Sequence, residues 1–180
     1  MGVLFRILRA RLLRIADRRP PDVIIGGEAD PYMRRWWVIP RNRWFNIYLH
    51  HFCRSDDDRA LHDHPWWNAS LLLKGSYREV VPVDPANPAG ETQALLRTEG
   101  AFVFRRSGTM AHRIELLRER GFTNFGAYDS REAPVWTLFI TGPNVRSWGF
   151  HCPKGWVHWR DFTNPADGGK TVGRGCGEQS

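Results

Sequence analysis

The stretch HDHPWWNASLLLKG, from His62 to Gly75, places two histidines one residue apart at the start of an apolar run that ends in glycine. Side chains alternate between the two faces of a strand, so His62 and His64 point the same way. Neutral imidazole is the commonest protein ligand for divalent transition metals. The pattern therefore predicts half of a metal site on a rigid strand, and the other half must come from elsewhere in the chain.

The best partner for this pair is His112, in the segment GAFVFRRSGTMAHRIEL (Gly100–Leu116). A predicted strand over Ala101–Arg106 turns at Ser107-Gly108 and returns through His112. A hairpin of this kind can bring one more imidazole onto the same inner surface, because His112 shares a face with two apolar residues that follow it.

Composition favours one domain of 180 residues made of many short strands, since glycine and proline are frequent and scattered and 42% of the residues are hydrophobic. The cysteines are Cys53, Cys152 and Cys176. An odd count without CxxC spacing suggests neither a disulfide framework nor a zinc knuckle. This pattern favours a reducing compartment, and we expect a cytoplasmic protein.

The net charge of +7 is concentrated in residues 1–20, which we interpret as a basic amphipathic helix. Leu4, Leu8, Leu12 and Ile15 follow helical spacing between arginines. The simplest role is docking on the domain, and a membrane-surface or nucleic-acid contact is the alternative. Frequent arginines exclude a transmembrane span.

The rest of the chain divides into a strand-rich domain over 30–163 and a glycine-rich, flexible tail over 164–180. Leu117–Pro134 lacks clear periodicity and is predicted to be a long loop. Turn signals separate short runs that we expect to form an all-β sandwich or barrel. The runs are Trp36–Ile39, Trp44–Phe52, Ala69–Lys74, Tyr77–Val83, Thr92–Arg97, Ala101–Arg106, His112–Leu116, Val135–Thr141, Trp148–His151 and Trp156–Phe162.

On these residues the chain resembles a cupin, a double-stranded β-helix of the jelly-roll class. The family's first motif, HxH followed by glutamate and glycine, matches His62-Asp63-His64, Asn68 and Gly75 in spacing, with asparagine in place of the glutamate and Asp56 in place of the leading glycine. The second motif, a glycine, PxG and a histidine, is matched loosely by Gly100, Arg106-Ser107-Gly108 and His112.

The resemblance implies metal ligation by His62, His64 and His112, with Asn68 standing where a fourth ligand would be. A site of three histidines leaves the ion its full charge, which favours an anionic ligand. The spacing does not select iron over zinc, manganese or nickel. Asn68 and Arg113 are candidate substrate-binding residues, and so are Tyr48 and His50 if the polar face of Trp44–His51 points inward.

Cupins with three histidines include non-haem Fe(II) dioxygenases, so the resemblance implies an oxygenase acting on a small polar or anionic molecule. The alternatives are a non-catalytic domain that binds or senses a small ligand, and a sugar isomerase or epimerase with His62 or His50 as the base. The family also leads us to expect a homodimer.

Overall fold

The structure is a computed structural model, and it describes residues 2–56, 60–122 and 128–177. Strands dominate it, as the sequence predicts. The helical elements are α1 (Val3–Arg18), α2 (Trp159–Phe162) and a 3-10 turn (Pro165–Asp167). The strands are β1 (Val23–Ile25), β2 (Met33–Trp37), β3 (Asn46–Phe52), β4 (Leu61–His62), β5 (Asn68–Lys74), β6 (Ser76–Pro82), β7 (Thr92–Thr98), β8 (Phe102–Arg105), β9 (Arg113–Leu116), β10 (Arg118–Phe122), β11 (Tyr128–Glu132), β12 (Val135–Thr141), β13 (Gly149–Cys152) and β14 (Gly155–His158).

Apart from the pair β10 and β11, the strands form two antiparallel sheets. The first has the order β1-β2-β3-β12-β5-β8. The second consists of β14-β13-β4 and β7-β6-β9, which a bridge between His62 and His112 joins. The chain passes from one sheet to the other between β3 and β4, β4 and β5, β5 and β6, β7 and β8, β8 and β9, and β12 and β13. This repeated crossing is the jelly-roll, or double-stranded β-helix, topology that the sequence predicts.

In β3 and β5 of the first sheet, both faces are largely buried. Apolar and polar residues therefore alternate less regularly along these strands than along a half-exposed strand. On the inner face, Met33, Phe52, Leu72 and Val135 belong to one core cluster with residues of β6 and β9. On the outer face, a second cluster lies under α1. The polar face of β3 is therefore the inner one, and both Tyr48 and His50 are buried there.

Helix α1 covers the outer face of the first sheet, so the predicted docking of the basic helix is observed. Leu12 is buried against Trp36, Leu49 and Leu73. The predicted stripe does not match the buried face completely, because Leu4 is 84% exposed. None of the helices in the described ranges is long and apolar enough to cross a membrane.

We expect Leu12→Ala to lower the free energy of unfolding by about 2–5 kcal/mol, because it leaves a cavity between the helix and the sheet. The matched control is Leu4→Ala on the same helix, which should change it by less than about 0.5 kcal/mol. Urea unfolding followed by tryptophan fluorescence measures both. Equal effects of the two variants would mean that α1 does not pack as described.

Two segments differ from their predicted structure. Leu117–Pro134, predicted as a loop, contains the paired strands β10 and β11 in register from Arg118 opposite Glu132 to Phe122 opposite Tyr128. The loop prediction is wrong, because these two segments pair as a separate two-stranded sheet. The predicted strand Trp156–Phe162 ends at His158, and its remainder is α2.

The C-terminal segment also differs, because Cys152 and Cys176 form a disulfide. The expectation of no disulfide is corrected, and the cysteine argument for a reducing compartment loses its basis. A bridge between Thr163 and Val172 also ties the segment to the domain. The tail predicted to be flexible thus has defined contacts, while 178–180 lie outside the described residues.

Candidate metal centre

The two halves of the predicted site are directly hydrogen-bonded to each other. The backbone N–H of His62 donates to the carbonyl of His112 at 2.9 Å, and that of His112 donates to the carbonyl of His62 at 3.0 Å. The N–H of His64 donates to the carbonyl of Gly108 at 2.9 Å. A Cβ at Gly108 would lie 2.2 Å from the His64 carbonyl oxygen, so this approach requires glycine. The turn at Ser107-Gly108 thus presses the second motif against the first.

The three imidazoles lie together inside the barrel. Ring centroids are 5.1 Å apart for His62 and His64, 4.8 Å for His62 and His112, and 5.2 Å for His64 and His112. One ligand nitrogen can be chosen from each ring so that all three lie within 4.8 Å of one another.

These distances fit a divalent transition metal. Nitrogens about 2.1 Å from one ion are roughly 3 Å apart at a right angle and at most about 4.2 Å apart. The Nε2 atoms of His64 and His112 are 2.9 Å apart, which is close to the right-angle value. The widest separation allowed by the cluster, 4.8 Å, exceeds that maximum by about 0.6 Å, so at least one ring must move to complete the site.

Asp63, between the two first-motif histidines, follows the end of β4 and anchors this segment. Its carboxylate is buried and accepts hydrogen bonds from the N–H of Gly149 at 2.8 Å and from Nε1 of Trp156 at 3.1 Å. Arg146 pairs with it at 3.0 Å. These contacts hold the backbone between His62 and His64 in place.

Two carboxylates lie close to the Nδ1 atoms of His62 and His112. Asp56 Oδ2 lies 3.9 Å from Nδ1 of His62, and Glu79 Oε1 lies 3.5 Å from Nδ1 of His112. Metal-binding histidines commonly have such a carboxylate partner, which orients the ring and raises its basicity as a ligand.

Glu79 belongs to a buried charge network that sequence reasoning missed. It is 1% exposed and forms ion pairs with Arg105, which is also buried, and with Arg97 at 2.8 Å. Arg105 donates to Oδ1 of Asn68 at 3.0 Å and lies 3.2 Å from Nδ1 of His112. Burial lowers the pKa of Arg105 to about 10, so it remains charged at neutral pH.

The contacts of His112 determine where its proton sits. A guanidinium only donates hydrogen bonds, so the Arg105 contact makes Nδ1 of His112 an acceptor and leaves the proton on Nε2. Nε2 then donates to Nε2 of His64 at 2.9 Å. A metal ligand must present an unprotonated nitrogen, so binding through Nε2 requires this proton to move to Nδ1, where the N–H can donate to Glu79.

The other predicted residues are distributed unequally around the histidines. Asn68 is fully buried, and its Oδ1 accepts a hydrogen bond from Arg105. This oxygen is therefore not free to be a fourth metal ligand. The Nδ2 of Asn68 has no partner among the described residues. Tyr48 and His50 lie on the inner face. Arg113 lies on the face opposite His112 and pairs with Glu115 at 2.6 Å, so the predicted placement of Arg113 at the site does not agree with its orientation.

Burial lowers the pKa of several histidines in the described chain. The pKa values of His50, His64 and His112 are held well below their ordinary value, first by burial and then by nearby arginines or imidazoles. Burial also lowers the pKa of His51, which stacks on Trp136 outside the barrel, to about 4. All four rings are therefore neutral in the folded protein at pH 7.

Metal-free protein should consequently lose stability as the pH falls from 6.5 to about 4. The unfolded chain takes up protons on these histidines below about pH 6.5, whereas the folded chain does not, so each ring costs up to about 1.4 kcal/mol per pH unit in this window. Urea unfolding of chelator-treated protein at pH 7, 6 and 5 measures the decline. A free energy of unfolding that is constant from pH 7 to 5 would contradict the buried, neutral state.

The chain was compared with protein-family models, curated proteins and solved structures. No protein-family model matches the chain, and no curated protein matches its sequence. Solved structures do resemble it.

Among these structures, Fe(II) HppE in complex with substrate has a TM-score of 0.45 and 12% identity over 69% of this chain and 57% of its own. An RmlC-like cupin from Shewanella frigidimarina has a TM-score of 0.43 and 12% identity over 69% and 83%. A cupin superfamily protein from Desulfitobacterium hafniense has a TM-score of 0.41 and 11% identity over 62% and 77%. The strand arrangement of this chain is itself a double-stranded β-helix, and helix α1 precedes it.

Proposed function

We propose that this protein is a metal-binding cupin in which His62, His64 and His112 hold a divalent transition metal, and that it oxygenates a small polar or anionic molecule. The observation that carries the proposal is the convergence of three neutral, largely buried imidazoles with no carboxylate among them. Iron(II) is the metal that this proposal favours, and when bound it would supply the site for activating oxygen.

The residues of the chain have defined tasks in this proposal. Glu79 and Asp56 orient the rings of His112 and His62, and Arg105 ties Glu79 to the site. Phe139, whose ring centroid is 6.0 Å from that of His64, and Trp66, at 6.3 Å, cover His64 with apolar surface. Such surface limits the access of water to the metal side of the rings.

The isomerase alternative requires an imidazole base with a pKa near the working pH. His50 is unsuitable, because burial and Arg35 hold its pKa well below the usual range. Burial also lowers the pKa of His62. The oxygenase is therefore the better supported of the two enzymatic functions.

Oxygen uptake tests the proposed activity. Protein loaded with Fe(II) under anaerobic conditions is mixed with air-saturated buffer and a panel of small carboxylates and phosphates, and oxygen is followed with an electrode. We expect substrate-dependent consumption in the wild-type protein and none in His64→Ala. Metal-loaded protein that consumes no oxygen with any compound would instead support a binding domain.

A further inference from the structure

Arg35 places a second functional group next to the candidate metal centre. It lies on β2 opposite His50 of β3, and its Nε donates to Nε2 of His50 at 2.9 Å. Its guanidinium carbon is 4.9 Å from the centre of the Tyr48 ring. His50 stacks on Phe139 with centroids 5.1 Å apart, and Phe139 in turn contacts His64. One aromatic ring therefore separates the Arg35–His50 pair from the histidine cluster.

Within the described residues, no ion pair neutralises the charge of Arg35. None of the carboxylates in the described ranges pairs with it, and its two terminal nitrogens have no hydrogen-bond partner there. Arg105, on the same inner face, has Glu79 and Asn68 as partners. Desolvating a cation without a counter-ion is costly, so an inward guanidinium of this kind favours an anionic ligand.

Buried polar groups beside Arg35 also have unused hydrogen-bonding capacity. Arg35 can only donate, so Nε2 of His50 accepts and Nδ1 of His50 carries the proton. That Nδ1 has no partner among the described residues, and neither does Oγ1 of Thr137, the residue opposite His50 on β12. The side chains of His50 and Thr137 are both at least nine-tenths buried. Donors from three neighbouring strands thus lie on one inner surface.

We propose that Arg35, His50 and Thr137 form an oxyanion subsite beside the metal centre, and that the substrate carries a carboxylate or phosphate group held there. The planar guanidinium matches either group. The inference rests on the proposed function, because it assigns the subsite to the substrate of the same site. It adds an anchor that fixes one end of the substrate while its other end reaches the histidines.

Titration calorimetry with acetate, inorganic phosphate and succinate tests the subsite, in metal-free protein and in protein loaded with Co(II). We expect at least one of these anions to bind the wild-type protein, and Arg35→Gln to weaken its binding at least about tenfold. The matched control is Arg34→Gln, which removes the same charge from the neighbouring position on the opposite face of β2 and should change binding less than about twofold. The three anions separate a carboxylate preference from a phosphate preference.

Two further measurements keep the test decisive if Arg35→Gln folds poorly. Arg35→Lys retains the charge without the planar fork and should bind with intermediate affinity. Succinamide, the neutral counterpart of succinate, should bind the wild-type protein at least about tenfold more weakly. Equal binding of succinate and succinamide, equal effects of Arg35→Gln and Arg34→Gln, or no anion binding to the wild-type protein would each overturn the subsite.

The metal content of each preparation shows whether a failed test concerns the proposed metal binding or the Arg35 subsite. Wild-type protein that takes up no Co(II) contradicts the proposed metal function, while anion binding to the metal-free protein still tests Arg35. Protein that takes up Co(II) normally but binds anions independently of Arg35 contradicts the subsite alone.

Discussion

Glu79→Gln should destabilise the metal-free protein by about 3–5 kcal/mol, because it leaves the buried guanidinium of Arg105 without its counter-ion. The substitution preserves the shape of the side chain, so packing loss contributes little. It also removes the carboxylate behind His112, and metal affinity should fall by about 10–100-fold. Urea unfolding and metal titration measure the two effects.

The matched control is Glu99→Gln. Glu99 pairs with Arg9, but both side chains are about 30% exposed, so this pair should contribute less than about 1 kcal/mol. If Glu79→Gln were no more destabilising than Glu99→Gln, the buried network would not have the structural role assigned to it.

His64→Ala should lower the affinity for Co(II) by at least about 100-fold, since loss of a ligand must cost at least as much as loss of a residue that supports one. The free energy of unfolding of the metal-free protein should change much less than the metal affinity, because Asp63 and the backbone hydrogen bond to Gly108 continue to hold this segment. Competition with a chelating dye measures the metal affinity.

His158→Ala is the control for this variant. His158 accepts a hydrogen bond at the start of α2 and lies 2.7 Å from Oγ of Ser147, so its ring already has partners away from the cluster. Its loss should leave the affinity for Co(II) unchanged. A similar loss of affinity in both variants would indicate binding at scattered surface histidines.

The sequence could predict the histidine cluster because spacing and turns determine it. His62 at the end of β4 and His64 just after it both reach the cluster, and the glycine indicates the Ser107-Gly108 turn. The inner position of Tyr48 and His50 could not be predicted, because β3 is buried on both faces and its apolar residues turn towards α1 instead of the barrel. The alternation of apolar and polar residues shows which residues share a face of a strand, but it does not show which face points into the barrel.

Arg105 illustrates a different limit. In β8 the two phenylalanines are exposed, Phe102 at 64% and Phe104 at 55%, while Arg105 is buried. Hydrophobicity alone would favour the opposite orientation. The available signal was Glu79, which shares a face of β6 with the buried Tyr77, because a carboxylate on an apolar strand face requires a buried cation. Neither residue identifies its partner before the two sheets are brought together.

The disulfide between Cys152 and Cys176 could not be predicted from the sequence. Cys152 and Cys176 are 24 residues apart, and only the fold of the C-terminal segment brings their Cα atoms to 5.4 Å. Their pairing therefore depends on tertiary structure that spacing does not encode. The homodimer stays a prediction.

The position of the bound metal tests the central claim most directly. Crystals of the protein loaded with one equivalent of Co(II) should give a single strong anomalous peak about 2.0–2.3 Å from one ring nitrogen each of His62, His64 and His112. Data collected on both sides of the cobalt absorption edge identify the element. A loaded crystal with no peak among these rings, or with its strongest peak elsewhere, would contradict the account.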